Sequence, residues 1–289
     1  MNRRRTAAVA VLLPRIALRS LLALAGVLAV AIVAAVPATA SLKIHQSRRS
    51  KPTSAAFDGV TATCPRGEGA ISGGYEVPQA SAITGIFEPW GSFLGDDDGW
   101  QASVAQLGDE LKDGFVTSFA YCAKLGKDVT TRGESTDISN GAFSDLTASC
   151  KRKETLISGG WAVSARLGTS ALVFQSLKQG ARSWTVSGRT TTTGTASLIA
   201  LADCVPSKKA PDLVTRKHQE TVNGTDSTVV ASCRKSEQVV SGGFTSNTAF
   251  IPFIFHRGTR RTWGARGATL GSAGTGTTFA YCEKLAKPR

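Results

Sequence analysis

One phrase occurs three times in this chain. It reads Cys, seven residues, Ser-Gly-Gly and an aromatic: "CPRGEGAISGGY" (64–75), "CKRKETLISGGW" (150–161) and "CRKSEQVVSGGF" (233–244). A second Cys closes each copy, in "FAYCAKLGK" (119–127), "LADCVPSKK" (201–209) and "FAYCEKLAK" (279–287). Trp100, Trp184 and Trp263 stand 19 to 22 residues before that second Cys. "DVTTR" (128–132) and "DLVTR" (212–216) precede the second and third copies at nearly equal distance, with "LKIHQ" (42–46) in that place before the first. Recurrence at a fixed period marks one structural unit used repeatedly. Each unit is about 80 residues here, and three of them fill the chain from residue 41 onward.

The local pattern within a unit is that of short strands. "FVTSFAYC" (115–122) alternates Val116, Ser118, Ala120 and Cys122 with Phe115, Thr117, Phe119 and Tyr121, the period of two expected of a strand. "WTVSGRTTTTGTASLIALADC" (184–204) reads as two strands about a Gly turn. Beyond residue 40 no stretch carries the 3.6-residue apolar period of a helix. The expected fold class is all-β, as three tandem disulfide-stapled repeats of about 80 residues, or alternatively as one pseudo-threefold β-prism.

Of the pairings that six cysteines allow, the repeat selects Cys64–Cys122, Cys150–Cys204 and Cys233–Cys282. Each staple closes a loop of 49 to 58 residues, worth about 4 kcal/mol on chain-entropy grounds. A unit this small buries little core, so the staple matters. Ser-Gly-Gly is expected at a bulge or a close backbone approach, with glycine tolerating φ > 0 there. Tyr75, Trp161 and Phe244 after it, with the later Trp, supply the core bulk.

The Cys–Gly-Gly–Trp–Tyr-Cys pattern resembles repeats in secreted actinobacterial proteins, from Cys64 to Cys282. That resemblance implies neither an activity nor site residues. The repeat number is also similar to that of threefold β-prism proteins, the jacalin-like and vitelline-membrane-outer-layer families, whose folds serve carbohydrate binding.

The first forty residues read as a signal peptide. Arg3, Arg4 and Arg5 precede the uncharged apolar run 21–36, and Ala38-Thr39-Ala40 is a small-x-small cleavage pattern. The run has 16 residues, short of the roughly 20 that span a bilayer, although an uncleaved anchor is the alternative. The expected organisation is a signal peptide over 1–40 and β repeats over 41–127, 128–211 and 212–289. Secretion or association with the cell envelope follows, with no stable membrane span after cleavage. The cysteines agree, since disulfide frameworks belong to exported chains.

Charge divides the chain. The formal net charge is +13; residues 56–127 carry −6 and residues 128–289 carry +10. The stretch between Ser-Gly-Gly and the Trp varies most, as it does where a constant scaffold presents different contacts. Lys178 and Arg182, or Arg257, Arg260 and Arg261, are candidate binding residues for phosphate or carboxylate. Asp96, Asp97 and Asp98 form a candidate Ca²⁺ turn without the alternate spacing of a known loop. Trp90, with Phe87 and Phe93, is a candidate aromatic platform for a sugar.

The catalytic inventory is thin. His45, His218 and His256 stand alone, no Gly-x-Ser-x-Gly occurs, and the staples leave no thiol for nucleophilic or zinc chemistry. No cofactor is expected. The positive charge is not interleaved with stacking aromatics, which argues against nucleic acid. The reading is a non-enzymatic protein binding a cell-wall or extracellular anionic polymer or glycan. An extracellular hydrolase using carboxylates among Glu68, Glu76, Glu88 and Asp109 is the alternative, and a structural spacer a third. Ligand and oligomeric state are left open by the residues.

Overall fold

The computed structural model describes residues 41–53, 57–77, 87–106, 114–139, 141–165, 169, 171–190, 194–269 and 271–286. The signal-peptide reading of 1–40 lies outside them. Each unit contributes six strands. The first holds β1 (His45–Pro52), β2 (Phe57–Ala62), β3 (Gly69–Glu76), β4 (Phe87–Leu94), β5 (Trp100–Gln106) and β6 (Phe115–Ala123), then a short 3₁₀ turn over Lys124–Asp128. The second holds β7 (Thr130–Ser139), β8 (Phe143–Ser149), β9 (Glu154–Ala165), β10 (Ala171–Gln179), β11 (Ser183–Thr190) and β12 (Thr195–Pro206). The third holds β13 (Leu213–Val222), β14 (Ser227–Ser232), β15 (Glu237–Ser246), β16 (Phe250–Thr259), β17 (Thr262–Thr269) and β18 (Gly274–Lys284). The fold is all-β. Among the described residues no helix is long and apolar enough to cross a membrane.

The units are not beads. The strands form three six-stranded antiparallel sheets, ordered β1-β6-β3-β16-β17-β14, β13-β18-β15-β10-β11-β8 and β2-β5-β4-β9-β12-β7. Every sheet is therefore half one unit and half a neighbour. The third strand of each unit pairs with the fourth strand of the unit before it, through Ser92↔Trp161, Ser176↔Phe244 and Phe255↔Tyr75. The last of these joins unit three back to unit one, so the ring closes. Of the two arrangements compatible with the repeat, the structure takes the pseudo-threefold one.

All three staples form as paired from the repeat: Cys64–Cys122, Cys150–Cys204 and Cys233–Cys282, with Cα separations of 5.6, 5.6 and 5.8 Å. They lie at one end of the strands, since His45 pairs with Cys122 and Pro52 with Phe115 at the other end. That end is called the disulfide end below, and the other the open end.

Ser-Gly-Gly sits where the units meet. The first glycine faces the Trp of its own unit: a Cβ on Gly73, Gly159 or Gly242 would lie 2.1, 2.4 or 2.3 Å from the nearest ring atom of Trp100, Trp184 or Trp263. The second glycine faces the neighbour: a Cβ on Gly74, Gly160 or Gly243 would lie 2.1, 2.3 or 2.8 Å from the carbonyl oxygen of Phe255, Ser92 or Ser176. Close approach demands both glycines. The expected positive φ is a correction, because none of these six residues adopts it.

The bulge comes one residue before the serine. Register shifts at Ile71, Ile157 and Val240 bring these side chains together with Leu125 and Val205 into one cluster drawn from all three units. Such a cluster must surround the pseudo-threefold axis. Leu42, Ile44, Val129, Ala210 and Leu213, from the segments leading into each unit, pack against it. The serines cross between units: Ser72 Oγ donates to the Val240 carbonyl (2.5 Å) and Ser241 Oγ to that of Ile157 (2.6 Å).

Candidate functional site

The disulfide end is built from paired turns. In unit two, the turn after Cys150 is closed by Glu154, whose carboxylate accepts the Lys151 backbone N–H (2.8 Å) and is forked by Arg132 (2.7 and 2.5 Å). In unit three, Glu237 does the same with the Arg234 N–H (2.9 Å) and Arg216 (3.2 and 2.6 Å). The arginines of "DVTTR" and "DLVTR" thus hold the acid that shapes each Cys turn. Their guanidinium groups draw the Glu154 carboxyl down to about 2, and that of Glu237 below the ordinary range. In unit one, His45 takes the arginine's role beside Glu68 (2.9 Å).

Each Cys turn is knitted to the turn between the fourth and fifth strands. Cys150 N–H donates to the Arg182 carbonyl and Cys233 N–H to that of Arg261, both at 2.8 Å. Unit two thereby presents Lys151, Arg152, Lys153 and Arg182 side by side, and unit three Arg234, Lys235, Arg260 and Arg261. All eight are exposed, and none makes a salt bridge among the described residues. Unit one has Arg66 and Asp96–Asp98 in the equivalent turns, linked by the Ala70 N–H to the Asp98 carbonyl (2.9 Å). The disulfide end therefore has two basic lobes and one acidic lobe.

Two of the expected contact residues serve the seams instead. Arg257 lies 5.7 Å over the Tyr121 ring and donates to the carbonyls of Thr259 (2.9 Å) and Arg260 (3.1 Å). Lys178 lies 6.0 Å over the Tyr281 ring. The two tyrosine hydroxyls accept the backbone N–H of Arg257 and of Lys178, each at 2.7 Å, across the unit boundary. Partial burial lowers the proton affinity of both cations, and full burial pushes both phenols upward. Arg182, Arg260 and Arg261 are at the lobes.

The third seam differs. Where units one and three have Tyr121 and Tyr281, unit two has Asp203, which is 1% exposed and accepts from Ser158 (2.7 Å) and Thr131 (2.8 Å) of its own unit. Burial raises its carboxyl pKa. A groove of about 530 Å³ runs beside this seam, with Phe93, Leu94, Thr131, Ile199 and Leu201 along it and Asp96 at its rim.

The sugar platform expected at Trp90 is a correction. The indole is only 6% exposed, lies 5.6 Å from the Phe57 ring and donates to the buried Glu88 carboxylate (3.2 Å). Phe93 is half-buried in the groove, and the Phe87 side chain lies outside the described residues. In the acidic turn, Asp96 and Asp97 are exposed while Asp98 pairs with Lys127, so an ammonium already occupies one carboxylate of the Ca²⁺ candidate.

The carboxylates of the hydrolase alternative are dispersed. Glu68 and Glu76 flank opposite ends of β3, Glu88 is buried on β4 in another sheet, and Asp109 lies outside the described residues. His256 stacks on Phe119 at 4.3 Å, and His218 pairs with Glu220 at 2.7 Å. Cys150, Glu154 and Cys204 converge, as do Cys233, Glu237 and Cys282. Their sulfurs are spent in disulfides and their carboxylates in arginine pairs, so neither group offers a thiolate.

Comparison with known protein families and with curated protein sequences finds no match to this chain. Lys151, Arg152, Lys153, Arg234 and Lys235 were absent from the expected contact residues. Their signal lay in the repeated phrase itself, "CKRKE" and "CRKSE", whose regularity reads first as architecture.

Proposed function

We propose that this protein is exported and acts as a non-enzymatic binder of an extracellular polyanion, such as an anionic cell-wall polymer or acidic glycan. One observation carries the reading: eight exposed cations on four knitted turns, none of them in a salt bridge among the described residues. Solvated cations usually scatter among acids or pair with them. Here the acids of the turns, Glu154 and Glu237, are forked by Arg132 and Arg216, so the outward cations outnumber the carboxylates near them. Forked arginine donors suit phosphate and carboxylate. Export rests on the leader pattern of residues 1–40 and on three disulfides, which belong to oxidising compartments.

The test is retention of residues 41–289 on purified cell-wall sacculi, with and without their anionic polymers, across a salt series. The expected result is binding that needs the polymers and fades as salt shortens the Debye length to below about 10 Å. Changing Lys151, Arg152, Arg182, Arg234, Arg260 and Arg261 together to Gln abolishes retention. No retention at low salt, or retention indifferent to salt and to these substitutions, overturns the reading.

A further inference from the structure

At the open end, each unit repeats an arrangement that the disulfide end does not use. An aromatic on the fourth strand, Trp90, Phe174 or Phe253, is buried. Phe57 packs against Trp90 at 5.6 Å, Phe143 stacks on Phe174 at 5.8 Å with the rings 6° from parallel, and the Arg266 guanidinium sits 5.9 Å over Phe253. The three versions differ in what they leave outside. In unit three, Arg266 is forked by Asp226 (2.7 and 2.6 Å), so its charge is met. In unit two the covering ring, Phe143, is 61% exposed, and the guanidinium of Arg189 stands 5.5 Å over the Phe174 ring. Arg189 makes no salt bridge among the described residues.

A groove of about 380 Å³ opens at this place, walled on one side by Phe143, Phe174 and Arg189 and on the other by Ser246, Asn247 and Thr248 of unit three. Asn247 Oδ1 accepts the Thr275 N–H (2.7 Å), which fixes the amide and leaves its NH₂ as a donor. Thr248 is held in turn by donation to the Ser272 carbonyl (3.1 Å). The groove thus combines a flat ring with one open face, a guanidinium without an acid, and a fixed amide donor, all on a seam stiffened by β10–β15 pairing.

We propose that this groove binds a pyranose ring carrying a carboxylate, a uronate residue of an acidic glycan. The ring's C–H face lies on Phe143, the carboxylate takes two N–H donors from Arg189, and a hydroxyl accepts from the Asn247 amide. A phosphate group alone would use Arg189 but leave the exposed ring without a partner. The site stands at the opposite end of β8 from Cys150, about 20 Å from the basic lobes by strand rise. It does not depend on the polyanion reading.

Titration calorimetry with trigalacturonate and neutral galactotriose tests this on residues 41–289. The acidic trisaccharide is expected to bind at least about tenfold more tightly, the worth of one charge-assisted fork. Made in the six-Gln background of the basic lobes, Arg189→Ala brings the two ligands to equal affinity, while Phe143→Ala weakens both. The six-Gln variant of the basic lobes keeps the binding, which separates this site from nonspecific attraction at the other end. Unfolding midpoints of Arg189→Ala and Phe143→Ala, both at exposed side chains, check that the fold is intact. Absence of binding to either trisaccharide overturns the proposal. So does binding that survives both substitutions or vanishes in the six-Gln variant.

Discussion

The backbone N–H of Leu42 donates to both oxygens of the Glu283 carboxylate, at 3.2 and 3.1 Å, across 241 residues of sequence. Gln238 Nε2 completes the clasp, donating to the Leu42 carbonyl (2.6 Å) and to Glu283 (2.8 Å). Segments 124–129 and 207–213 carry the chain from one unit into the next, and 41–44 takes the equivalent place before unit one. The ring is closed there by hydrogen bonds instead of by peptide.

Deleting residues 41–44 removes the clasp and the apolar contacts of Leu42 and Ile44 with the axial cluster. The expected cost is about 2–3 kcal/mol from lost burial, read as a lower urea midpoint at unchanged slope. An unchanged midpoint refutes a structural role for the clasp.

Gly74→Ala would set a Cβ 2.1 Å from the Phe255 carbonyl, and neither backbone can yield without parting the seam. A loss of about 3 kcal/mol is expected. Gly133→Ala is the control, because its Cβ presses on the flexible Leu201 side chain at 3.1 Å and otherwise meets the Ala200 carbonyl at an ordinary 3.8 Å. That change should stay within about 1 kcal/mol in either direction. Similar effects from the two substitutions argue against the seam.

Because every sheet joins two units, the units cannot melt one at a time. Replacing Cys64 and Cys122 together by Ala is expected to lower stability by about 4 kcal/mol. The calorimetric trace should nonetheless keep a single transition. Separate transitions for one unit and for the other two contradict the shared-sheet account.

Two sets of carboxyls respond to pH with opposite signs. Glu154 and Glu237 have folded-state values lowered by Arg132 and Arg216. Their contribution is fully present above the ordinary glutamate value of 4.5 and is lost as pH falls, for Glu154 through about 2. Asp203 is raised by burial, so its contribution is present below the ordinary aspartate value and lost as pH rises through the raised one. Asp203→Asn should therefore increase stability at neutral pH and flatten the alkaline side of the profile, with Ser158 and Thr131 still able to hydrogen-bond the amide. Urea midpoints measured from pH 2 to pH 8 check both signs. A neutral-pH loss in Asp203→Asn overturns the second.

What the residues alone determined is what short-range order encodes. Alternation in "FVTSFAYC" and its kin dictates strands, and near-constant Cys spacing dictates which sulfurs can meet. The pairing Cys64–Cys122 followed from the repeat because each staple lies within one unit. Tertiary structure decided everything that crosses a unit boundary. The second glycine of Ser-Gly-Gly answers to a carbonyl in another unit, so no local rule could explain it, and the expected positive φ was the wrong reason for the right residue. Trp90 is buried because Phe57 reaches it from β2, two strands away in the same sheet, while Glu88 on its own strand takes the indole N–H. Lys178 and Arg257 look like free turn cations in sequence, yet tyrosines more than 100 residues away pin them. The basic lobes and the Phe143 groove exist because hydrogen bonds bring separate turns and separate units side by side, and side-chain chemistry read along the chain carries no record of that proximity.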